Sequence, residues 1–147
     1  MKKHFSLFIL LIVSAAAFGQ SGLDGFLKPA DSLKLWRRNT VIISEAAVSA
    51  GVLVGLNQLW YSDYTRSDFH TINDNSEWLQ MDKAGHVFSS YHLGSFGKNA
   101  WQWSGATRRS QLLYGSTLGF VFLSAVEVMD GYSSKWGFSG GDMIANA

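Results

Sequence analysis

Three long stretches of the 147-residue chain repeat apolar residues at the spacing of an α-helix. They run from Asn39 to Trp60, from Asp82 to Lys98 and from Thr107 to Asp130. A fourth helix is expected to begin at Asp142, whose side chain would act as its N-cap. Tyr61 to Trp78 is polar and is predicted to be a surface connection with one helical turn. Because no stretch alternates with the period of a strand, the pattern predicts an all-α fold, a small bundle of about four helices.

Small residues recur at every fourth position in two of these helices. Ala47, Gly51 and Gly55 form one stripe, and Gly115 and Gly119 form another. Such a stripe allows a second helix to approach closely. We therefore expect both stripes to face neighbouring helices.

The first twenty residues have the order of a secretory signal. Lys2 and Lys3 precede an apolar run, and small residues up to Gly19 provide a cleavage position. The sequence therefore predicts an exported protein, with a signal peptide at residues 1–19 and a single helical domain at residues 20–147. An uncleaved membrane anchor is the alternative, although the run is shorter than the ~20 residues that a span requires.

Two predicted helices approach the length of a membrane span, Val41 to Trp60 and Leu112 to Met129. Each contains a glutamate, Glu45 or Glu127, which would be costly if it faced lipid. If three helices crossed after a cleaved signal, the paired arginines would lie outside, against the positive-inside tendency. We therefore expect a bundle in the periplasm or against the outer membrane, with an inner-membrane multi-span protein as the alternative.

The composition of the chain excludes several classes of function. The formal net charge is +1 and no long Lys/Arg run occurs, so nucleic acid is not an expected partner. The sequence contains no cysteine. This excludes disulfides, thiolate metal sites, a cysteine nucleophile and acylation of an N-terminal cysteine. The expected partners are a membrane surface or envelope proteins, and the small-molecule ligand is unknown.

The segment MDKAGHVFSSYH, residues 81–92, concentrates the candidate chemistry. Asp82, Lys83 and His86 fall on one arc of the predicted helix, and two serines continue that arc. Three interpretations stay open: a solvated helix face, a satisfied buried network, and a reaction or metal site.

Glu127 lies among apolar helical neighbours, so it should be paired, and Lys83 or His86 would be an adequate partner. The alternative is a Glu127 exposed to solvent at the end of its helix. We predict that Asp82, Lys83, His86, Glu127 and Asp142 converge on one polar cluster between the second, third and fourth helices.

Asp142 and Asn146 lie one helical turn apart and could join Asp82 and His86 around a cation. No zinc motif specifies the metal, so its identity is open. No cofactor motif such as a P-loop occurs. GFSGG, residues 137–141, matches the G-x-S-x-G pattern of serine hydrolases. The preceding strand and a downstream histidine are missing, so we interpret it as a flexible entry to the last helix.

Several of these motifs occur in one order: DKAGH near a helix start, then Tyr91, then EVMDG, then GFSGGDMIAN. In this order they resemble the YfiM-like family of predicted periplasmic lipoproteins, a domain of unknown function. The resemblance covers about residues 81–147, and the last helix and the family-like part are expected to be truncated. It implies a location in the bacterial cell envelope and no particular reaction. A weaker similarity is to VanZ-like membrane proteins, although those commonly have Gln where this chain has Asp130.

Two function classes follow. In the first, an envelope protein of structural or interaction role uses the polar cluster to hold its helices in register. In the second, an envelope hydrolase or transferase uses His86 as acid and base, oriented by Glu127 or Asp82, with or without a metal. An open cleft beside these residues would favour chemistry, and full burial with every partner satisfied would favour structure.

Overall fold

A computed structural model describes residues 25–147, so the predicted signal peptide lies outside the described residues. The fold is mainly helical, as the sequence predicts. Five α-helices occur in the described range: α1 (Leu35–Leu59), α2 (Met81–Trp103), α3 (Arg108–Ser110), α4 (Leu118–Gly131) and α5 (Gly140–Asn146). A π-helical turn, Gln111–Gly115, joins α3 to α4, and 3-10 turns occupy Tyr61–Asp63 and Glu77–Gln80.

The prediction of no strands is wrong in one detail. β1 (Thr71–Ile72) and β2 (Phe138–Ser139) form a parallel pair, in which Thr71 is opposite Phe138 and Ile72 is opposite Ser139. Two-residue strands are too short to leave an alternating pattern, which explains why the sequence does not reveal them. Their pairing holds the connection before α2 against the segment before α5.

Helix α2 continues five residues beyond its predicted end at Lys98 and stops at Trp103. Gly105 follows with a positive φ of 78°, the conformation in which glycine commonly follows a helix. A side chain there would collide with the backbone of Ser32. The turn therefore lets the chain reverse into α3 while it stays in contact with the segment before α1.

Helices α2 and α4 pack through small residues. A Cβ on Gly94 would lie 2.6 Å from the Ser116 carbonyl oxygen, and a Cβ on Gly115 would lie 2.7 Å from the Lys98 Cα. Gly119 likewise faces the backbone of Ser90. The expectation that Gly115 and Gly119 face another helix is confirmed, because no larger residue would allow this approach.

The matching expectation for the Ala47, Gly51 and Gly55 stripe is wrong. A Cβ on Gly51 or Gly55 would meet no atom of the described residues within 4 Å, and Ala47 is exposed. The buried residues of α1 are Arg37 and Val41, in its first two turns. At about 100° per residue Arg37 and Gly55 share one side of the helix, so the stripe lies further along α1 than its buried residues and not on the opposite side.

The interior is small and polar. In the described part of the chain, four hydrophobic residues are buried: Val41, Trp101, Ala106 and Leu123. Eight polar or charged residues are buried beside them: Arg37, Ser104, Gln111, Glu127, Ser133, Ser139, Asp142 and Asn146. Five of these eight, from Glu127 onward, follow one another along the chain from α4 to α5, which places a polar interior at one end of the bundle.

Candidate functional site

The first turns of α2, the last turns of α4, and α5 meet at that end of the bundle. The connection before α2 closes over them, because His70 donates its amide to the Gly131 carbonyl at 2.9 Å and Phe138 donates to the His70 carbonyl at 3.0 Å. All six candidate residues from the sequence lie here: Asp82, Lys83, His86, Glu127, Asp142 and Asn146.

His86 is held from both sides of its ring. Nδ1 lies 2.8 Å from Asn146 Oδ1, and an amide oxygen only accepts, so Nδ1 donates. Nε2 then faces Glu127 Oε1 at 3.5 Å and Asp82 Oδ1 at 3.9 Å. This arrangement fixes the ring and turns Nε2 toward two carboxylates, where it can hold a proton or bind a cation.

Glu127 is 2% exposed, so the alternative of a solvent-exposed side chain is wrong. One carboxylate oxygen faces His86, and the other accepts a hydrogen bond from the Ser139 amide at 3.1 Å. A buried carboxylate requires such partners because it has lost its hydration. Glu127 therefore links α4 both to α2 and to the start of α5.

Lys83 joins three segments of the chain. Its ammonium donates to Asp74 Oδ1 at 2.6 Å and lies 3.0 Å from Asp142 Oδ1 and 3.9 Å from Asp82 Oδ2. Burial raises the pKa of Asp74, but hydrogen bonds from Lys83 and Ser139 outweigh burial and lower that pKa below its usual value. For Asp142 burial prevails over the attraction of Lys83, and its pKa is raised.

Ser139, and not Asp142, is the N-cap of α5, which corrects the sequence prediction. The Ser139 hydroxyl accepts from the Asp142 amide at 3.2 Å and donates to Asp74 Oδ1 at 2.7 Å. Its backbone is extended, as a capping position requires, while Asp142 already lies inside the helix. Both roles of the buried hydroxyl are structural, which agrees with our interpretation of GFSGG as a helix entry.

Sequence reasoning missed several residues of this site. Asp74 accepts from Lys83 and from the Ser139 hydroxyl. The Tyr61 hydroxyl donates to Asp130 Oδ1 at 2.6 Å beside Glu127. Asp74 and Tyr61 lie in the polar connection, where no periodicity indicates direction. The backbone pairing of β1 and β2 brings Asp74 to the site, and nothing in the local sequence indicates that pairing.

An open cleft of about 390 Å³ lies beside the cluster. Five carboxylates line it, together with His86: Asp74, Asp82, Glu127, Asp130 and Asp142. Another part of its lining is aromatic and apolar, where Trp60 stacks on Trp136 with ring centroids 5.8 Å apart and Ile72 also contributes. The volume is that of a small-molecule site, and the wall offers a surface for an organic group.

Three of these residues are arranged as metal ligands could be. One ligand atom each from Asp82, His86 and Asp142 lies within 4.8 Å of the others. Within the cluster, two buried polar atoms also have no hydrogen-bond partner among the described residues, namely Asp142 Oδ1, which has only its ion pair to Lys83, and Asn146 Nδ2. The cluster is thus neither closed nor fully satisfied.

Comparison with known proteins gives one match. The family model described as "Predicted periplasmic lipoprotein (DUF2279)" matches residues 70–147, which include the connection that carries Asp74. No curated protein and no solved structure matches the chain. The similarity to VanZ-like proteins stays a prediction. The family description supports export to the periplasm and names no activity. The family model matches more than half of the 147 residues. The chain therefore belongs to this family of predicted periplasmic lipoproteins, as its YfiM-like motifs indicate.

Proposed function

We propose that this envelope protein binds a divalent metal ion at Asp82, His86 and Asp142, on the floor of the cleft. The observation that carries the proposal is the approach of their ligand atoms to within 4.8 Å of one another. In a tetrahedral site with bonds of 2.0–2.2 Å, ligand atoms lie roughly 3.3–3.6 Å apart. Binding would therefore require the Asp82 side chain, which is 53% exposed, to turn inward.

The charge of the cleft supports a cation. Its five lining carboxylates are opposed by the ammonium of Lys83 behind them. A divalent ion would relieve this excess of negative charge. One imidazole nitrogen with carboxylate oxygens is a set that suits Zn²⁺, Mn²⁺ or Fe²⁺ better than ions that prefer oxygen alone. Asn146 would orient the imidazole through Nδ1, as the outer partner of a metal-bound histidine usually does.

The same cluster has a structural part, which we infer from Lys83. Its contacts with Asp74 and Asp142, and the contact of Ser139 with Asp74, join the connection, α2 and α5. These atoms are largely buried, and they hold the cleft-facing residues in place. Asp142 belongs to both parts, as a partner of Lys83 and as a ligand of the proposed ion.

Calorimetric titration of the full chain in a mild detergent with Zn²⁺ and with Mn²⁺ tests the proposal. We expect one binding event, weakened at least tenfold by His86→Gln and by Asp82→Asn. Because Asp82 is half-exposed, its variant should fold normally by circular dichroism. His92→Gln and Asp63→Asn change the same residue types at exposed positions and serve as matched controls. Equal affinity in all five proteins would contradict the proposal.

A second candidate is an envelope enzyme in which His86 and Glu127 exchange a proton with a substrate in the cleft. The 3.5 Å contact between them, with Asn146 on the other ring nitrogen, favours it. Hydrolysis of p-nitrophenyl acetate and p-nitrophenyl phosphate, with and without the metal, would detect such a centre. Glu127→Gln should then lower the rate by about 100-fold or more, and an unchanged rate would exclude Glu127 from the reaction.

A further inference from the structure

The outer faces of α1 and α4 are covered with large apolar side chains. Ile43 is 67% exposed, Val48 64% and Val121 61%. Only 6% of the most apolar 18-residue window in Leu35–Asp63 is buried, and 22% of the window in Arg108–Gly131. A core helix of a water-soluble protein would be mostly buried, so these two helical stretches have the apolar content of a core without its burial.

Both stretches are long enough to cross a bilayer. They contain 29 and 24 residues, and these are the two candidate spans within the described part of the chain by length and composition. At 1.5 Å per residue each helix reaches at least about 36 Å, which exceeds the ~30 Å hydrocarbon core of a membrane.

Glu45 and Glu127 would be costly if they faced lipid, but both side chains turn toward other helices. Glu45 turns toward α2, where the Trp101 indole donates to its Oε2 at 3.4 Å. Glu127 turns toward His86 in the interior. Ionisable residues within membrane helices commonly face the inside of the bundle in this way.

Aromatic side chains mark both ends of α1. Trp36 packs with Trp103 at the first end, with ring centroids 5.6 Å apart, and Trp60 packs with Trp136 at the other. Arg108 and Arg109, both exposed, follow Trp103 closely in the chain, whereas the carboxylates of the cleft lie at the second end. Two aromatic belts with charges beyond them are typical of a protein in a bilayer, and exposed arginines complement lipid phosphates.

The packing between the helices is also typical of a membrane protein. Backbone approach at Gly94, Gly115 and Gly119 holds α2 to α4, and few large apolar residues are buried. Membrane helices associate through small residues and close packing, because lipid already solvates their apolar side chains.

We propose that α1 and the helical stretch from Arg108 to Gly131 are embedded in a phospholipid bilayer, whose acyl chains cover their outer faces and place the cleft at one membrane interface. The proposal concerns a different surface from the metal site and does not depend on it. Loss of metal binding in His86→Gln would leave it unaffected.

The cysteine-free sequence permits a direct test by single cysteines in the full chain. Val48→Cys and Val121→Cys place a thiol on the two apolar faces, and Asp68→Cys is the exposed control in the connection. Each variant is expressed, and membrane fragments opened by sonication are washed at alkaline pH and treated with a polyethylene-glycol maleimide. We expect the protein to stay with the membranes and position 68 to react at least tenfold more than positions 48 and 121, until detergent exposes all three.

Two results would overturn the proposal. One is release of the chain into the soluble fraction with all three positions reactive. The other is a soluble dimer in which positions 48 and 121 are protected, because a second copy would then cover the faces. Circular dichroism of each variant in detergent checks that its helices form. Because positions 48 and 121 lie on different helices, one of them still tests the proposal if the other variant does not fold.

Discussion

At the scale of single residues, Lys83 is the cation that the carboxylates of the polar cluster share. It binds Asp74 and Asp142 and lies 3.9 Å from Asp82, and these three carboxylates line the cleft together with His86. The neighbourhood of Asp82, Lys83 and His86 was predictable, because the helical period alone places them on one arc. Asp74 was not predictable, because its position depends on a two-residue strand pairing in a connection without periodicity.

Lys83→Met should destabilise the protein by about 3–5 kcal/mol, because it leaves two largely buried carboxylates without their cation. Chemical unfolding followed by circular dichroism would measure this loss. Lys135→Met is the matched control, since Lys135 is exposed and should change the free energy of unfolding little. A similar small effect of both variants would mean that the Lys83 contacts do not stabilise the fold.

The lowered pKa of Asp74 predicts a pH dependence of stability. A carboxyl whose pKa falls on folding stabilises the protein above its ordinary pKa of about 3.9, and this contribution is lost as the pH falls through the folded value. Asp74→Asn should therefore cost about 1.5–3 kcal/mol at pH 7 and progressively less below about pH 4. Melting temperatures at a series of pH values, with the exposed Asp68→Asn as control, would show whether the difference shrinks in acid.

At the scale of elements, glycine spacing predicted one helix contact and failed for another. Gly115 and Gly119 meet α2, whereas Gly51 and Gly55 meet none of the described residues. The spacing shows that a face permits close approach, but it does not show that a second helix lies there. The polar and aromatic contacts of α1, such as Glu45 with Trp101, determine which of its faces packs against the bundle. A helical wheel does not show these contacts.

Gly119→Ala should destabilise the protein by about 1–3 kcal/mol, because the new methyl group would collide with the Ser90 backbone. Gly51→Ala adds the same group in open space and should be neutral or stabilising by up to about 1 kcal/mol. Thermal unfolding of the two variants in one solvent compares them directly. Equal destabilisation would show that Gly51 also packs closely against a partner.

At the scale of the whole molecule, the helical class followed from the periodicity of the sequence. The positions of polar side chains inside and apolar side chains outside did not. The sequence suggested a bundle that buries its apolar faces, partly because Glu45 and Glu127 argued against lipid. Both glutamates point inward, so the apolar faces are left outside. Residue spacing gives the period of a helix, but it does not state whether water, lipid or protein surrounds the helix.

The exposed apolar faces predict that the full chain is monodisperse only when detergent covers them. Size-exclusion chromatography with light scattering, in buffer and in a mild detergent, would test this. We expect large aggregates in buffer and one species with constant helical content in detergent. A monodisperse protein in buffer alone would contradict the expectation.

The π-helical turn at Gln111–Gly115 has a consequence for comparing relatives of this chain. A π-turn contains one residue more than an α-helical turn of the same span, so it absorbs that residue without changing the rotational phase of the helix that follows. A relative with one residue fewer at this turn would have a regular α-helical turn there, and its counterpart of α4 would keep the same phase. The glutamate at the position of Glu127 would still face the position of His86. A one-residue gap at this turn in a relative is therefore compatible with an intact cleft, whereas a one-residue gap within α4 itself before Glu127 would turn the glutamate away by about 100°.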